Sequence, residues 1–282
     1  NEIVIHVKFK ENDATLQQET LGNLGVNLIY GAYNYYDNPR NLIESLYDDV
    51  AKDNLEIDMI DFSGPAFTYV DNRLMSLQLV KNGMTDAVIF NSEGNNMLPA
   101  DVLYKKNIFA VRGSFRPVTK VNIDMLKNGL DMFLKDAICT TDETEVLIEI
   151  TISNLRADGD IDERDFLDRV DILGTLGYTV IISNYSEYYR LIDYFASYTS
   201  GNIGVAMGVN NLLMVFDERY YKDLSGGILE AFGKFFRNGM RVYLYPYKDP
   251  ETHELLTADN LKVSDNLKEL YKYFKHNKRI RK

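Results

Sequence analysis

Short, nearly continuous apolar runs recur along the chain, separated by stretches in which apolar residues return every third or fourth position. The runs at 26–30, 56–62, 86–90, 108–112, 145–152, 179–184, 203–208 and 241–247 have the length and density of strands covered on both faces. Between them lie helical patterns. Over 39–50 the apolar positions are Leu42, Ile43, Leu46 and Val50. Over 71–82 Asp71 is a cap, Leu74, Leu77 and Val80 form the apolar face, and Leu79 lies at its edge. Further helices are predicted over 122–135, 162–176, 187–198, 224–238 and 263–276, while 99–104 offers barely a turn and a half. A strand over 3–9 precedes them all.

Strand–helix alternation implies βαβ units and a mainly parallel sheet. Eight units over about 250 residues match the size of a (β/α)8 barrel, and the count favours it. A doubly wound, Rossmann-like open sheet is the alternative. Residues 1–22 then form an N-terminal strand and linker, and 23–282 a single α/β domain. The opening at Asn1, directly into a strand, suggests a piece of a longer protein whose missing domain shares the function. In either architecture ligands bind at the C-terminal ends of the strands.

Composition narrows the function classes. Of 282 residues, 31 are Lys or Arg and 42 Asp or Glu, a net charge of −11. That balance argues against a duplex nucleic-acid binder, which needs a basic face. No apolar run approaches the roughly 18 residues of a membrane span, and no signal peptide is visible. The single cysteine, Cys139, excludes a disulfide framework and a Cys-rich metal site. A cytoplasmic enzyme is the expectation. The three histidines, His6, His253 and His276, lie near the chain ends, which argues against histidine triads. The basic run 276–282 reads as a helix C-terminus complementing the dipole.

Four polar residues sit inside apolar runs: Asp61, Arg112, Glu149 and Asn184. Burial of such groups is costly unless they are paired. Arg112 with Asp61 or Glu149 is one solution, and a ligand-facing cluster the other. The strand exits add Ser183 and Asn210.

The densest motif is Gly113-Ser114-Phe115-Arg116-Pro117-Val118-Thr119-Lys120-Val121-Asn122, between a strand and a helix. Gly113 permits close approach of a ligand, the helix N-terminus offers N–H groups, and Arg112, Arg116 and Lys120 concentrate positive charge. Together they describe a phosphate site.

This segment resembles the first signature of the nicotinate/nicotinamide mononucleotide adenylyltransferases and the wider HxGH nucleotidyltransferases. Gly113, Phe115, Pro117 and Thr119 match, and Asn122 replaces the second histidine, as in the T-x-x-N variant of tryptophanyl-tRNA synthetases. Ile182-Ser183-Asn184-Tyr185-Ser186 followed by Arg190 echoes the second signature, with its arginine two residues late. The resemblance implies adenylyl transfer with Mg and ATP as cofactors. The candidate catalytic set is Arg112, Arg116, Lys120, Asn122, Asp61 and Glu149. Candidate cofactor contacts are Gly113, Ser114, Thr119, Ser183, Asn184 and Asn210.

Weaker signals complete the reading. Residues 154–165 resemble an EF-hand loop, with Asn154, Asp158, Gly159, Ile161, Asp162 and Asp165 at loop positions, but Arg156 occupies a ligand position. A helix cap at Asp160 or Asp162 is the plainer expectation. Gly226 and Gly227 precede a helix and could bind phosphate. Tyrosines cluster at 33–36, 185–189 and 243–247, suited to a ligand rim or an interface. The partners expected are a phosphorylated small molecule, with a second copy or a missing domain, and neither a nucleic-acid duplex nor a membrane. A barrel lyase, isomerase or transferase for a phosphorylated metabolite is the alternative enzyme. A non-catalytic binding or assembly domain is the third reading.

Overall fold

The strands are β1 (Glu2–Phe9), β2 (Leu55–Ser63), β3 (Ala87–Phe90), β4 (Asn96–Met97), β5 (Asn107–Arg112), β6 (Thr144–Thr151), β7 (Thr179–Ser183), β8 (Ile203–Gly208), β9 (Arg241–Tyr245), β10 (Tyr247–Lys248), β11 (Leu255–Leu256) and β12 (Ile280–Arg281). The helices are α1 (Ala14–Asn34), α2 (Pro39–Ser45), α3 (Asn72–Lys81), α4 (Pro99–Leu103), α5 (Lys120–Ala137), α6 (Ile152–Leu155), α7 (Glu163–Thr175), α8 (Tyr188–Tyr198), α9 (Val209–Val215), α10 (Gly227–Phe235) and α11 (Lys268–His276). The structure, a computed structural model, describes residues 1–157 and 159–282. Two compact units share the chain. Unit 1 is Asn1–Pro99 with Ile152–Asn184, and unit 2 is Ala100–Thr151 with Tyr185–Lys282.

In unit 1, β1 alternates exposed and half-buried positions along its whole length, and pairs antiparallel with β2. Its inward residues Ile3, Ile5, Val7 and Phe9 pack on Leu24, Leu42, Leu46, Ile57 and Phe62. This is the period of two that a half-covered strand requires. Elsewhere in the unit β3 is antiparallel to both β4 and β7.

Unit 2 holds five parallel strands in the order β12-β9-β8-β5-β6. Helix α5 lies on this sheet through Phe133, which is fully buried against Phe109 of β5 and Tyr243 of β9. Its N-terminus is fixed by a capping box between Thr119 and Asn122, and it ends at Ile138 in the left-handed conformation. Strands β10 and β11 form a short antiparallel pair.

Two expectations need correction. Residues 26–30 are not a strand but the middle of α1, which also runs through position 22. Four of these five residues are apolar, because both faces of that helix are apolar there, so the helical period was masked. The expected first parallel unit is therefore absent. Strand β2, read as the second unit, pairs antiparallel with β1 instead. Of the EF-hand-like residues, Asp158 lies outside the described residues. Asp162 caps α7, accepting from Arg164 N at 2.9 Å and Asp165 N at 3.2 Å. Among the described residues no helix is long and apolar enough to cross a membrane.

Candidate functional site

Strand order and chain order disagree at one place in the unit 2 sheet. Strand β5 continues through α5 to β6 on one side, while β8 joins β5 on the other and leads on to β9. The connections above β5 and β8 therefore diverge. In open parallel sheets that divergence leaves a crevice at the C-terminal ends of the two strands. The loop 113–119 and the β8 exit at Asn210 both lie at this edge.

The loop after β5 is shaped by packing inside it. Gly113 N–H donates to the Glu149 carbonyl at 3.0 Å, which extends the ladder one residue. Phe115 then turns with φ +47° and buries its ring against Gly113. A Cβ on Gly113 would stand 3.1 Å from that ring, so glycine is what lets the loop fold back. Ser114, Arg116, Thr119 and Lys120 stay exposed.

At the α5 N-terminus the Thr119 hydroxyl accepts from Asn122 N at 3.3 Å. Asn122 Oδ1 accepts from Thr119 N at 2.9 Å and from the Thr119 hydroxyl at 2.8 Å. Asn122 thus serves the cap through its oxygen. The backbone N–H groups of Lys120 and Val121 have no acceptor among the described residues. They lie at the positive end of an 18-residue helix. One turn on, Asp124 accepts from the Tyr245 hydroxyl at 2.5 Å, tying the end of β9 to α5 and raising the tyrosine's pKa.

Arg112 and Glu149 lie opposite each other in the parallel β5–β6 register. Arg112 Nε donates to Glu149 Oε2 at 2.7 Å, Nη2 to Oε1 at 2.9 Å, and Nη1 to the Ser186 carbonyl at 2.9 Å. The guanidinium also lies over the Tyr188 ring, 4.2 Å from its centroid. The Glu149 side chain is completely buried and that of Arg112 nearly so. Burial alone would lower the Arg112 pKa, but the Glu149 carboxylate outweighs it and raises the value. Burial lifts the Tyr188 hydroxyl to about 12, against the pull of the Arg112 charge. Of the two roles read for these strand charges, the Arg112–Glu149 bonds are mutual pairing. Tyr188 completes the cluster. Its place in the tyrosine run at 185–189 was the available sequence signal.

The remaining candidates fall elsewhere. Asn210 is exposed at the start of α9. Ser183 and Asn184 belong to unit 1, where Ser183 is buried in β7 and Asn184 N donates to the Asp86 carbonyl at 2.8 Å. Asp61, also in unit 1, accepts from Asn72 Nδ2 at 2.7 Å. It lines an open polar hollow of about 700 Å³ with Asp71, Arg73, Glu93 and Asp171. Arg73 is held there by Asp71 at 2.7 Å and by Asp171. The glycines at 226–227 already face an anion of the chain, because Glu230 Oε2 accepts from Gly226 N at 2.9 Å.

Burial raises the Asp61 pKa, Glu2 adds to the rise, and the Asn72 hydrogen bond only partly opposes it. A carboxyl that holds its proton more tightly folded than unfolded favours the folded state in acid and loses that contribution as pH rises through the folded pKa. Asp61→Asn keeps an acceptor for Asn72. It should therefore raise stability at neutral pH by a small amount, under about 1 kcal/mol for so accessible a group. The advantage should fade as pH drops toward about 4. Urea titrations of both proteins at several pH values measure it. An equal or larger advantage in acid would contradict it.

The chain matches no family model, no curated protein and no solved structure.

Proposed function

We propose that unit 2 is the phosphate-binding part of an enzyme, taking a nucleotide or other phosphorylated small molecule at the β5–β8 edge. The observation that carries this reading is the coincidence of the strand divergence with the α5 N-terminus, where two backbone N–H groups, Arg116 and Lys120 meet. The linear order β12-β9-β8-β5-β6 supports the open, doubly wound alternative over the closed barrel.

The most concrete chemistry is adenylyl transfer from Mg-ATP to a mononucleotide. Phosphoryl and nucleotidyl transfers need little covalent chemistry from the protein, chiefly positioning and charge stabilisation. Arg116 and Lys120 would neutralise phosphate oxygens, and the N–H groups of Lys120 and Val121 would orient them. Ser114 and Asn210 are placed on the same edge to reach polar groups of the substrate. The donor set suits the phosphates, and magnesium would enter on them, screening their charge. Among the described residues no cluster of three or more His, Cys, Asp or Glu offers a separate cage for it. Arg112 and Glu149 act as the buried support of the loop. A metabolite lyase or isomerase built on Asp61, Arg112 and Glu149 has less support, because the bonds of Arg112 end on Glu149 and Ser186 and those of Asp61 on Asn72.

A thermal-shift panel with Mg-ATP, nicotinate mononucleotide and inorganic phosphate tests this reading. At 100 times its Kd a ligand adds about 2.7 kcal/mol, which is a shift of about 4–5 °C in a protein of this size. The shift should vanish in Arg116→Ala/Lys120→Ala, with far-ultraviolet circular dichroism confirming that the variant is folded. A flat panel, or a shift unchanged in the double variant, would overturn the assignment.

A further inference from the structure

We infer that the outward face of α1 is the interface through which two copies of this chain associate. A helix on the surface of a folded unit normally presents one apolar stripe inward and polar residues outward. Helix α1 does not. Its inward face carries Leu24 and Gly31, with Leu28 partly buried in the unit 1 core. Its opposite face carries Thr15, Gln18, Gly22, Val26, Ile29 and Tyr33, with Glu19 as its one charge. Val26 is 66% exposed, Ile29 63% and Tyr33 81%. Single exposed apolar side chains are ordinary, but a contiguous row of this kind marks an interaction surface. Tyr36 and Tyr69 extend it, joined by the Tyr69 hydroxyl donating to the Tyr36 carbonyl at 3.2 Å.

Two features select a second copy as the occupant. Gly22, Val26, Ile29 and Tyr33 follow one another at intervals of four, three and four, the seam of a helix pair. Such a seam is self-complementary about a twofold axis, the commonest symmetry of soluble oligomers. Nothing stands within 4 Å of where side chains on Gly22 and Gly25 would begin, so a second backbone can approach closely there. The second feature is charge. The chain carries −11, and two copies repel unless they meet where that charge is missing. Within α1 the sole carboxylate or basic side chain is Glu19, at the N-terminal end of this seam and about two turns from Val26. A basic partner would find only Glu19 to pair with on this face, whereas a second copy finds its own apolar row.

Sedimentation velocity across a dilution series reads the outcome. The expected wild-type mass is twice 32.4 kDa, falling to the single-chain mass on dilution. Val26→Glu/Ile29→Glu should show the single-chain mass at every concentration, with the far-ultraviolet circular dichroism unchanged. Tyr33→Lys, at the most exposed position of the row, provides a second disruption should the glutamates disturb the helix. A wild-type protein that remains a single chain throughout, or a dimer that survives in both variants, would overturn the proposal.

Discussion

Truncation of Glu149 to alanine is expected to destabilise the protein by about 3–5 kcal/mol, because it strands the Arg112 guanidinium in a buried site with only the Ser186 carbonyl and the Tyr188 ring. Most of that cost is the desolvated charge left without its carboxylate, not the worth of the pair itself. The distinction is measurable. Arg112→Met/Glu149→Leu removes both charges and keeps apolar bulk, so it should be close to neutral relative to the wild type. Urea unfolding of the two variants separates the accounts. If the double variant loses as much as the single one, the cluster stabilises through its shape or its hydrogen bonds to Ser186, and the charge argument fails. The same comparison bears on the site, since the residue after Arg112 opens the loop that leads to α5. A variant that keeps its stability but loses the Mg-ATP thermal shift would place Arg112 and Glu149 among the groups that position that loop.

The second large effect lies beneath α5. Phe133→Ala should cost about 3–5 kcal/mol, since its ring is fully buried and packs 5.5 Å from Phe109 and 6.0 Å from Tyr243 between ring centroids. The helix can sit so low because Gly129 and Gly204 have no side chains there. A Cβ on Gly129 would stand 2.9 Å from the Phe109 ring, and one on Gly204 would stand 2.5 Å from that of Phe133. Gly204→Ala should therefore cost about 1–3 kcal/mol by overpacking. In the Phe133→Ala background the same alanine enters the vacated space, so the double variant should lose clearly less than the sum. Chemical denaturation of the three proteins gives the coupling. Strict additivity would mean that Phe133 moves aside freely and the layer is not tightly set.

Much of this architecture was legible along the chain. The strand runs at 86–90, 108–112, 145–152, 179–184 and 203–208 appear within a residue or two of their observed bounds, because strands covered on both faces leave an apolar signature that needs no partner to be read. The run at 241–247 is cut short at Tyr245, one residue before Pro246. Asp71, Thr119 and Asp162 cap their helices through bonds made within the next three residues, so these ends are local too. Helix α1 failed the same reading for a physical reason. An apolar outward face erases the periodicity that separates helix from strand.

The candidate site divides along the same line. The loop 113–119 and the cationic start of α5 are contiguous in sequence, so their chemistry was visible as a motif. The pairing of Arg112 with Glu149 rather than Asp61 was not, because it depends on which strand becomes the neighbour of β5. Backbone ladders form between any two strands whatever their side chains, so strand order is settled by the burial of whole faces and the packing of helices above them. By itself, then, the sequence determined the α/β class, most strands, several helix caps and the glycine-led cationic loop before α5, all of which depend on interactions within a few residues. Only the tertiary structure decided the antiparallel β1–β2 pair, the divergence of strands at β5 and β8, the closure of Arg112 onto Glu149 beneath Tyr188 and the exposure of α1. Each of these joins residues tens of positions apart, or depends on what a face is left without.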